Sequence, residues 1–252
     1  MGAMMEEVEG LIPCLSERQE FMIGMRTYYT GKLHGIPTVL VFSRWGKVAA
    51  AATVSTLIHR FKITELIFAG VAGALYPDLT IGDVVIAKRL IQHDMDARPI
   101  VNRFEIPLLS KTFFESTPKN TEVAVKAAET VLEDRKLHEL IGTEDLNQFG
   151  ITAPKVYVGD IASGDKFFAN SSDKHQLLEA LPSLLCVEME GAAVAQVCYE
   201  CEIPYSIIRT ISDTADEAAE LNFPLFIKRI SSIYSVEIIK NIYQHYREAI
   251  LS

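Results

Sequence analysis

LLCVEMEGAAVAQVC, residues 184–198, reads as a buried strand that runs straight into a buried helix, with Glu188 and Glu190 set at the junction. Apolar and small residues surround the pair, and no Pro, Asn or Ser marks a solvated loop. A carboxylate in such a place is costly unless something pairs with it or uses it. The junction therefore poses a structural question and a chemical one.

Outward from this stretch, strands and helices alternate. On the C-terminal side, YSIIRTISD from Tyr205 predicts a strand and Asn222 to Ala249 a long closing helix. On the N-terminal side, KVYVGDIASGDKFF predicts a strand that ends on a polar turn, and Thr121 to Leu140 an amphipathic helix followed by a polar loop to about Pro154. ELIFAGVAGA from Glu65 and GDVVIAKRLIQHDMD from Gly82 predict two further strands, and GKVAAAATVSTLIHRF from Gly46 a helix. Met4 to Leu15 reads as a helix, and Phe21 to Ser43 as extended segments turning at Leu33 to Gly35. This alternation predicts an α/β domain with a largely parallel or mixed sheet.

Length alone allows one or two domains, but no linker or charge block divides the chain, so residues 1–252 read as one. With 49% hydrophobic and 23% charged residues it can bury a core without disulfides or metal. The net charge of −9 and the lack of a basic cluster argue against a nucleic-acid partner. The longest apolar stretch, Leu66 to Tyr76, is too short to span a bilayer, so no membrane partner is expected. Acidic residues follow Met1 where a signal peptide carries basic ones, and the four cysteines lie on apolar segments. Both features fit a cytoplasmic protein.

An α/β sheet binds ligands beyond the carboxyl ends of its strands. Four such ends are polar or Gly-rich: Gly70 to Ala74, Ser163 to Phe167, Glu188 to Glu190, and Ser212-Asp213. Arg209 lies inside a hydrophobic strand and needs a carboxylate, for which Glu188 is the natural partner. Glu190 precedes a helix, whose positive end favours an anion, and so it is expected to stay ionised and face a ligand. Taken alone, Glu188–Arg209 also reads as a structural ion pair, and Asp213 as a cap. Cys198 and Cys201 form a C-x-x-C without a second pair or a nearby His, which reads as core rather than zinc. The remaining histidines are scattered, Gly70 and Gly73 are not a dinucleotide fingerprint, and Lys47 is not followed by the Ser or Thr of a phosphate loop.

The motifs GAMMEEV (2–8), SRWGKVAAA (43–51), AGVAGA (69–74), IGDVVIA (81–87), HDMD (93–96), SGDKF (163–167), VEMEGAAVAQVC (187–198) and IRTISD (208–213) follow one another along nearly the whole chain. Their order and combination resemble the 5′-methylthioadenosine/S-adenosylhomocysteine nucleosidases of the nucleoside phosphorylase superfamily. The resemblance implies a mixed central β-sheet flanked by α-helices, a homodimer, and hydrolysis of adenine thionucleosides without metal or cofactor. It also implies roles. Asp213, helped by Ser212, would protonate the adenine at N7, and Glu7 would position and deprotonate water. Glu190 would grip the ribose above Met189. Phe167 and Phe168 would bind the base, Phe167 by stacking, while Glu188 and Arg209 hold the water site. Trp45 and Phe223 would line the 5′ pocket, which Ala97, Ile100 and Pro107 of a partner subunit would close.

Three departures stand out. The apolar strand that leads into Gly-Ala-Met in this family is absent, so either the recorded sequence begins late or a central strand is missing. Val71 stands where some members carry Ser, which removes a polar contact. Arg44-Trp45 replaces smaller residues, and Trp45 also reads as a core anchor for the following helix, or Arg44 as a reader of an anionic 5′ group. A phosphorylase on the same fold is the nearest rival, but Glu6 and Glu7 would repel phosphate where arginines are needed. A silent adenosine-binding protein would be expected to lose Glu7, Glu190 or Asp213. Methylthioadenosine, adenosylhomocysteine, 5′-deoxyadenosine and aminodeoxyfutalosine share adenine and ribose, so the motifs address all four.

Overall fold

The computed structural model describes residues 1–215 and 223–251, and its strands and helices alternate in a mixed α/β fold. A three-stranded antiparallel sheet comes first, built from β1 (Ser16–Ile23), β2 (Arg26–Leu33) and β3 (Ile36–Leu40). Helix α1 (Lys47–Phe61) then leads to β4 (Leu66–Ala74), β5 (Val84–Gln92) and the short β6 (Phe114–Glu115). After α2 (Pro118–Leu132), α3 (Asp134–Ile141) and α4 (Thr143–Gln148) come β7 (Val156–Ser163), α5 (Ser171–Ala180), β8 (Leu184–Glu188) and α6 (Gly191–Glu200). Strand β9 (Tyr205–Asp213), α7 (Phe223–Phe226) and α8 (Ser232–Leu251) complete the order, with a π turn at Ile227–Ser231 joining the last two helices. Asn222, the expected start of the closing helix, lies outside the described residues.

Two elements differ from the sequence reading. The helix expected over Met4 to Leu15 is only a 3₁₀ segment, Glu9–Cys14, with Pro13 inside it. Proline's missing N–H and fixed φ suit a short tight turn better than a continued α-helix. The helix expected over Thr121 to Leu140 is split, because Glu133 adopts φ −54° and ψ 129° and starts a new helix at Asp134. The polar stretch after it folds partly into α4 around buried Leu146.

The main sheet has the order β6-β5-β7-β8-β4-β9, and β5 also pairs with β9, so it closes on itself. Strands β5, β7 and β8 run parallel, as do β4 and β9. The two groups meet at their carboxyl ends, where Gly73 of β4 pairs with Val187 of β8 and with Asp213 of β9. That junction brings the polar strand ends to one place. Apolar side chains of α1 and α6 pack on one side of the sheet, and those of α2, α3 and α8 on the other. This burial is the main stabilising term.

Met1 and Gly2 lie between the two sheets, Gly2 in an isolated parallel bridge with Phe42. The Met1 ammonium donates to the Ile67 carbonyl at 2.8 Å, and the Ala69 N–H donates to the Met1 carbonyl at 3.1 Å. On the other side, the Gly2 N–H reaches the Val41 carbonyl at 3.1 Å. From there a groove of about 560 Å³ runs between β3 and β4, lined by Leu57 and Phe61 of α1 and by Ile239 and Tyr243 of α8.

Candidate active site

One cleft at the strand junction gathers the residues expected from a single chain. Glu7, Val71, Arg209, Ser212 and Asp213 border it together with Glu188, Met189 and Glu190. Trp45, Phe167, Phe168 and Phe223 complete its aromatic part. Ala97, Ile100 and Pro107 do not border the cleft of their own chain, and Ile100 is 86% exposed.

The question posed at 188–190 has a geometric answer. Arg209, only 1% exposed, donates from Nη2 and Nε to Glu188 Oε2 at 2.7 and 3.2 Å. Its Nη1 donates to the carbonyls of Phe68 and Ile208 at 3.2 and 3.0 Å. Glu188 also accepts from the N–H groups of Glu190 and Gly191, and from the Ser163 hydroxyl. The Ala192 N–H donates to that hydroxyl at 2.7 Å. Glu188 thus satisfies a buried guanidinium and the open N–H groups at the start of α6 at once. Both of its oxygens are engaged by these donors. Ser163, which sequence reading marked only as part of the polar strand end Ser163 to Phe167, belongs to this cluster.

Glu7 is 1% exposed and asymmetrically bound. Its Oε2 accepts from the N–H groups of Ala3 and Met4 at 2.6 and 3.0 Å, whereas Oε1 has no partner among the described residues. Burial pushes its carboxyl up to about 7, opposed in part by the Met4 N–H and by Arg209. Burial also lowers the Met1 amine to about 5. Gly70 explains how the free oxygen fits: a Cβ there would lie 3.1 Å from Glu7 Oε1 and 3.3 Å from Arg209 Nη1. Only a residue without a side chain keeps that space open.

Glu190 accepts the Gly46 N–H on Oε1 at 2.7 Å. Burial, and then the charge of Glu188, raise its carboxyl well above the usual range. This desolvation opposes the helix N-terminus expected to keep it ionised. Asp213 is held at both oxygens, by the Ser212 hydroxyl on Oδ2 at 2.6 Å and the Ala215 N–H on Oδ1 at 2.8 Å. Phe223 meets Phe167 edge to face, with ring centroids 6.1 Å apart. His93 meets Phe168 in the same way at 5.3 Å.

Two alternatives at 44–45 are settled by geometry. Trp45 is 60% exposed and so is not a core anchor. Arg44 donates from Nη2 to the Met25 carbonyl at 2.7 Å, which turns its charge away from the cleft. No group of three or more His, Cys, Asp or Glu side chains suited to a metal ion occurs among the described residues.

Comparison with known proteins adds an independent line. The phosphorylase superfamily model matches residues 1–240. A 5′-methylthioadenosine/S-adenosylhomocysteine nucleosidase of Staphylococcus aureus is 33% identical over 240 residues, covering 94% of this chain and 96% of the relative. The nucleosidase of that name from Neisseria meningitidis, solved in complex with methylthio-immucillin-A, superposes with a TM-score of 0.83 at 31% identity, covering 97% of this chain and 96% of that one. A futalosine hydrolase of Helicobacter pylori superposes at 0.80 with 30% identity, covering 97% and 95%. With the motifs, the fold and these relatives in agreement, the chain belongs to the phosphorylase superfamily, among the 5′-methylthioadenosine/S-adenosylhomocysteine nucleosidases.

Proposed function

We propose that the protein hydrolyses the N-glycosidic bond of 5′-methylthioadenosine and S-adenosylhomocysteine, releasing adenine and the 5′-thioribose. The observation that carries this reading is the set of three buried carboxyl groups, Glu7, Glu190 and Asp213, around one cleft with aromatic residues. Adenine leaves poorly as an anion, so Asp213, held by Ser212 and the Ala215 N–H, delivers a proton to N7 as the bond to C1′ breaks. The electron pair of that bond passes to the purine, and the sugar becomes oxocarbenium-like. Nearby carboxylates stabilise such a cation. Glu7 Oε1 takes the proton of the attacking water, and a carboxyl with a pKa near 7 is matched to that task at neutral pH. Glu190, anchored by the Gly46 N–H, holds the ribose hydroxyls, and Phe167 stacks on the base.

A phosphorylase needs cationic groups for a phosphate dianion. Among the described residues, the one arginine bordering the cleft is committed to Glu188 and to carbonyls, and Lys166 is paired with Asp173 at 2.6 Å. A futalosine-type substrate remains the second reading, supported by the likeness to the futalosine hydrolase. A homodimer in the cytoplasm is part of the proposal. It is supported by the exposed apolar side chains of Trp45, Val48, Ile100 and Leu108, and by four free cysteines. Among the described residues no helix is long and apolar enough to cross a membrane.

The test is adenine release from methylthioadenosine with and without phosphate, with identification of the sugar. Free methylthioribose at a phosphate-independent rate is expected. A sugar 1-phosphate formed only in phosphate would replace hydrolysis with phosphorolysis.

A further inference from the structure

Three charged residues that do not border the cleft tie its two halves together. Lys47, the first residue of α1, donates from Nζ to Asp94 Oδ1 at 2.6 Å and to Gln92 Oε1 at 3.2 Å. The other oxygen of Asp94 accepts the Asp165 N–H at 3.0 Å. Asp165 in turn accepts the Lys47 backbone N–H on Oδ1 at 2.9 Å. The ring of interactions is closed, and it joins three separate parts of the chain: the start of α1, the end of β5 and the loop after β7.

Each part controls a different half of the cleft. The residue before Lys47 is Gly46, whose N–H holds the ribose-facing Glu190. Gly46 has φ 91°, and a Cβ there would lie 3.1 Å from Asp165 Oδ1, so this backbone passes close against the loop. Two residues after Asp165 is Phe167, which faces the base. Under the same loop lies buried His93, whose ring a Cβ at Gly164 would overlap. Lys47 and Asp94 are themselves half-buried, with side chains 17% and 31% exposed, so the pair is not a loose surface contact.

We propose that Lys47, Asp94 and Asp165 are positioning residues that fix the distance between the base-stacking loop and the ribose-binding carboxylate, and so set the affinity for a joined nucleoside. The proposal rests on the substrate reading given above. A ligand that engages only one half is insensitive to that distance, whereas one that spans both halves gains from it.

The test compares two probes on the full chain: adenine, which needs the base loop alone, and methylthio-immucillin-A, which spans base and sugar. In Lys47→Met and Asp165→Ala, adenine affinity is expected to change less than twofold while the nucleoside analogue weakens about tenfold. The KM for methylthioadenosine should rise correspondingly, and Lys47→Arg should recover part of the loss. Equal weakening of both probes, or no change in either, would overturn the proposal. Asp165→Ala removes the acceptor for the Lys47 N–H but leaves the Lys47–Asp94 pair in place, so it carries the test if Lys47→Met does not fold. Failure of the wild type to release adenine would instead refute the substrate reading.

Discussion

Replacing Glu7 by Gln tests whether a buried carboxyl is held near neutrality for catalysis. Burial raises its pKa from 4.5 to about 7, so folding favours the protonated form. The associated stabilisation is complete below pH 4.5 and is lost as the pH rises to about 7. At about 1.36 kcal/mol per pH unit, the gap between those two values is worth about 3 kcal/mol. Gln cannot ionise, so the stability of Glu7→Gln relative to wild type should rise by about that amount between pH 4.5 and 7 and then level off. The Met1 amine works in the opposite direction, since its lowered pKa of about 5 makes stability increase with pH up to 8.0. Comparing two chains that share this amine largely removes its contribution. The assay is urea unfolding of both proteins at several pH values, alongside turnover of methylthioadenosine. Turnover should fall by about 10²–10⁴-fold, with methylthio-immucillin-A still bound. Parallel stability curves from pH 4.5 to 8 would refute the buried-carboxyl argument, and turnover within a few-fold of wild type would remove Glu7 as the base.

Trp45→Ala should weaken methylthioadenosine more than adenosine by about 1–3 kcal/mol in transition-state stabilisation, because only the former places a methylthio group against the ring. Catalytic efficiencies on both nucleosides read this out, and equal losses with a lower Tm would sink the pocket assignment.

Much of this arrangement is written in local sequence. Arg209 inside an apolar strand demanded a carboxylate, and Glu188, the nearest buried candidate, is bound to it in the structure. Strand and helix periods placed α1, β4 and β9 within a residue or two because each carries a continuous apolar face, whereas β5 ends at Gln92, four residues before the end of the expected strand. What stayed hidden depends on contacts between distant residues. The pairing of Val84–Ile86 with Ile208–Thr210, which closes the sheet, has no local signature. Gly70 looked like one more turn glycine until Glu7 and Arg209 were seen on either side of it. Desolvation likewise opposes the ionised form expected for Glu190, since a helix N-terminus is visible in sequence while burial against Glu188 is not. The break at Glu133 interrupts a stretch whose amphipathic pattern runs on unchanged, so periodicity alone joined α2 to α3.

The most direct test of the central claim is adenine release from methylthioadenosine by the wild type and by Asp213→Asn. The amide keeps the shape held by Ser212 and the Ala215 N–H but has no proton to deliver to N7. Efficient release by the wild type is expected, and the variant should keep its Tm and still bind methylthio-immucillin-A while its turnover falls by about 10²–10⁴-fold. A folded Asp213→Asn enzyme that releases adenine within a few-fold of the wild-type rate would contradict the acid role of Asp213.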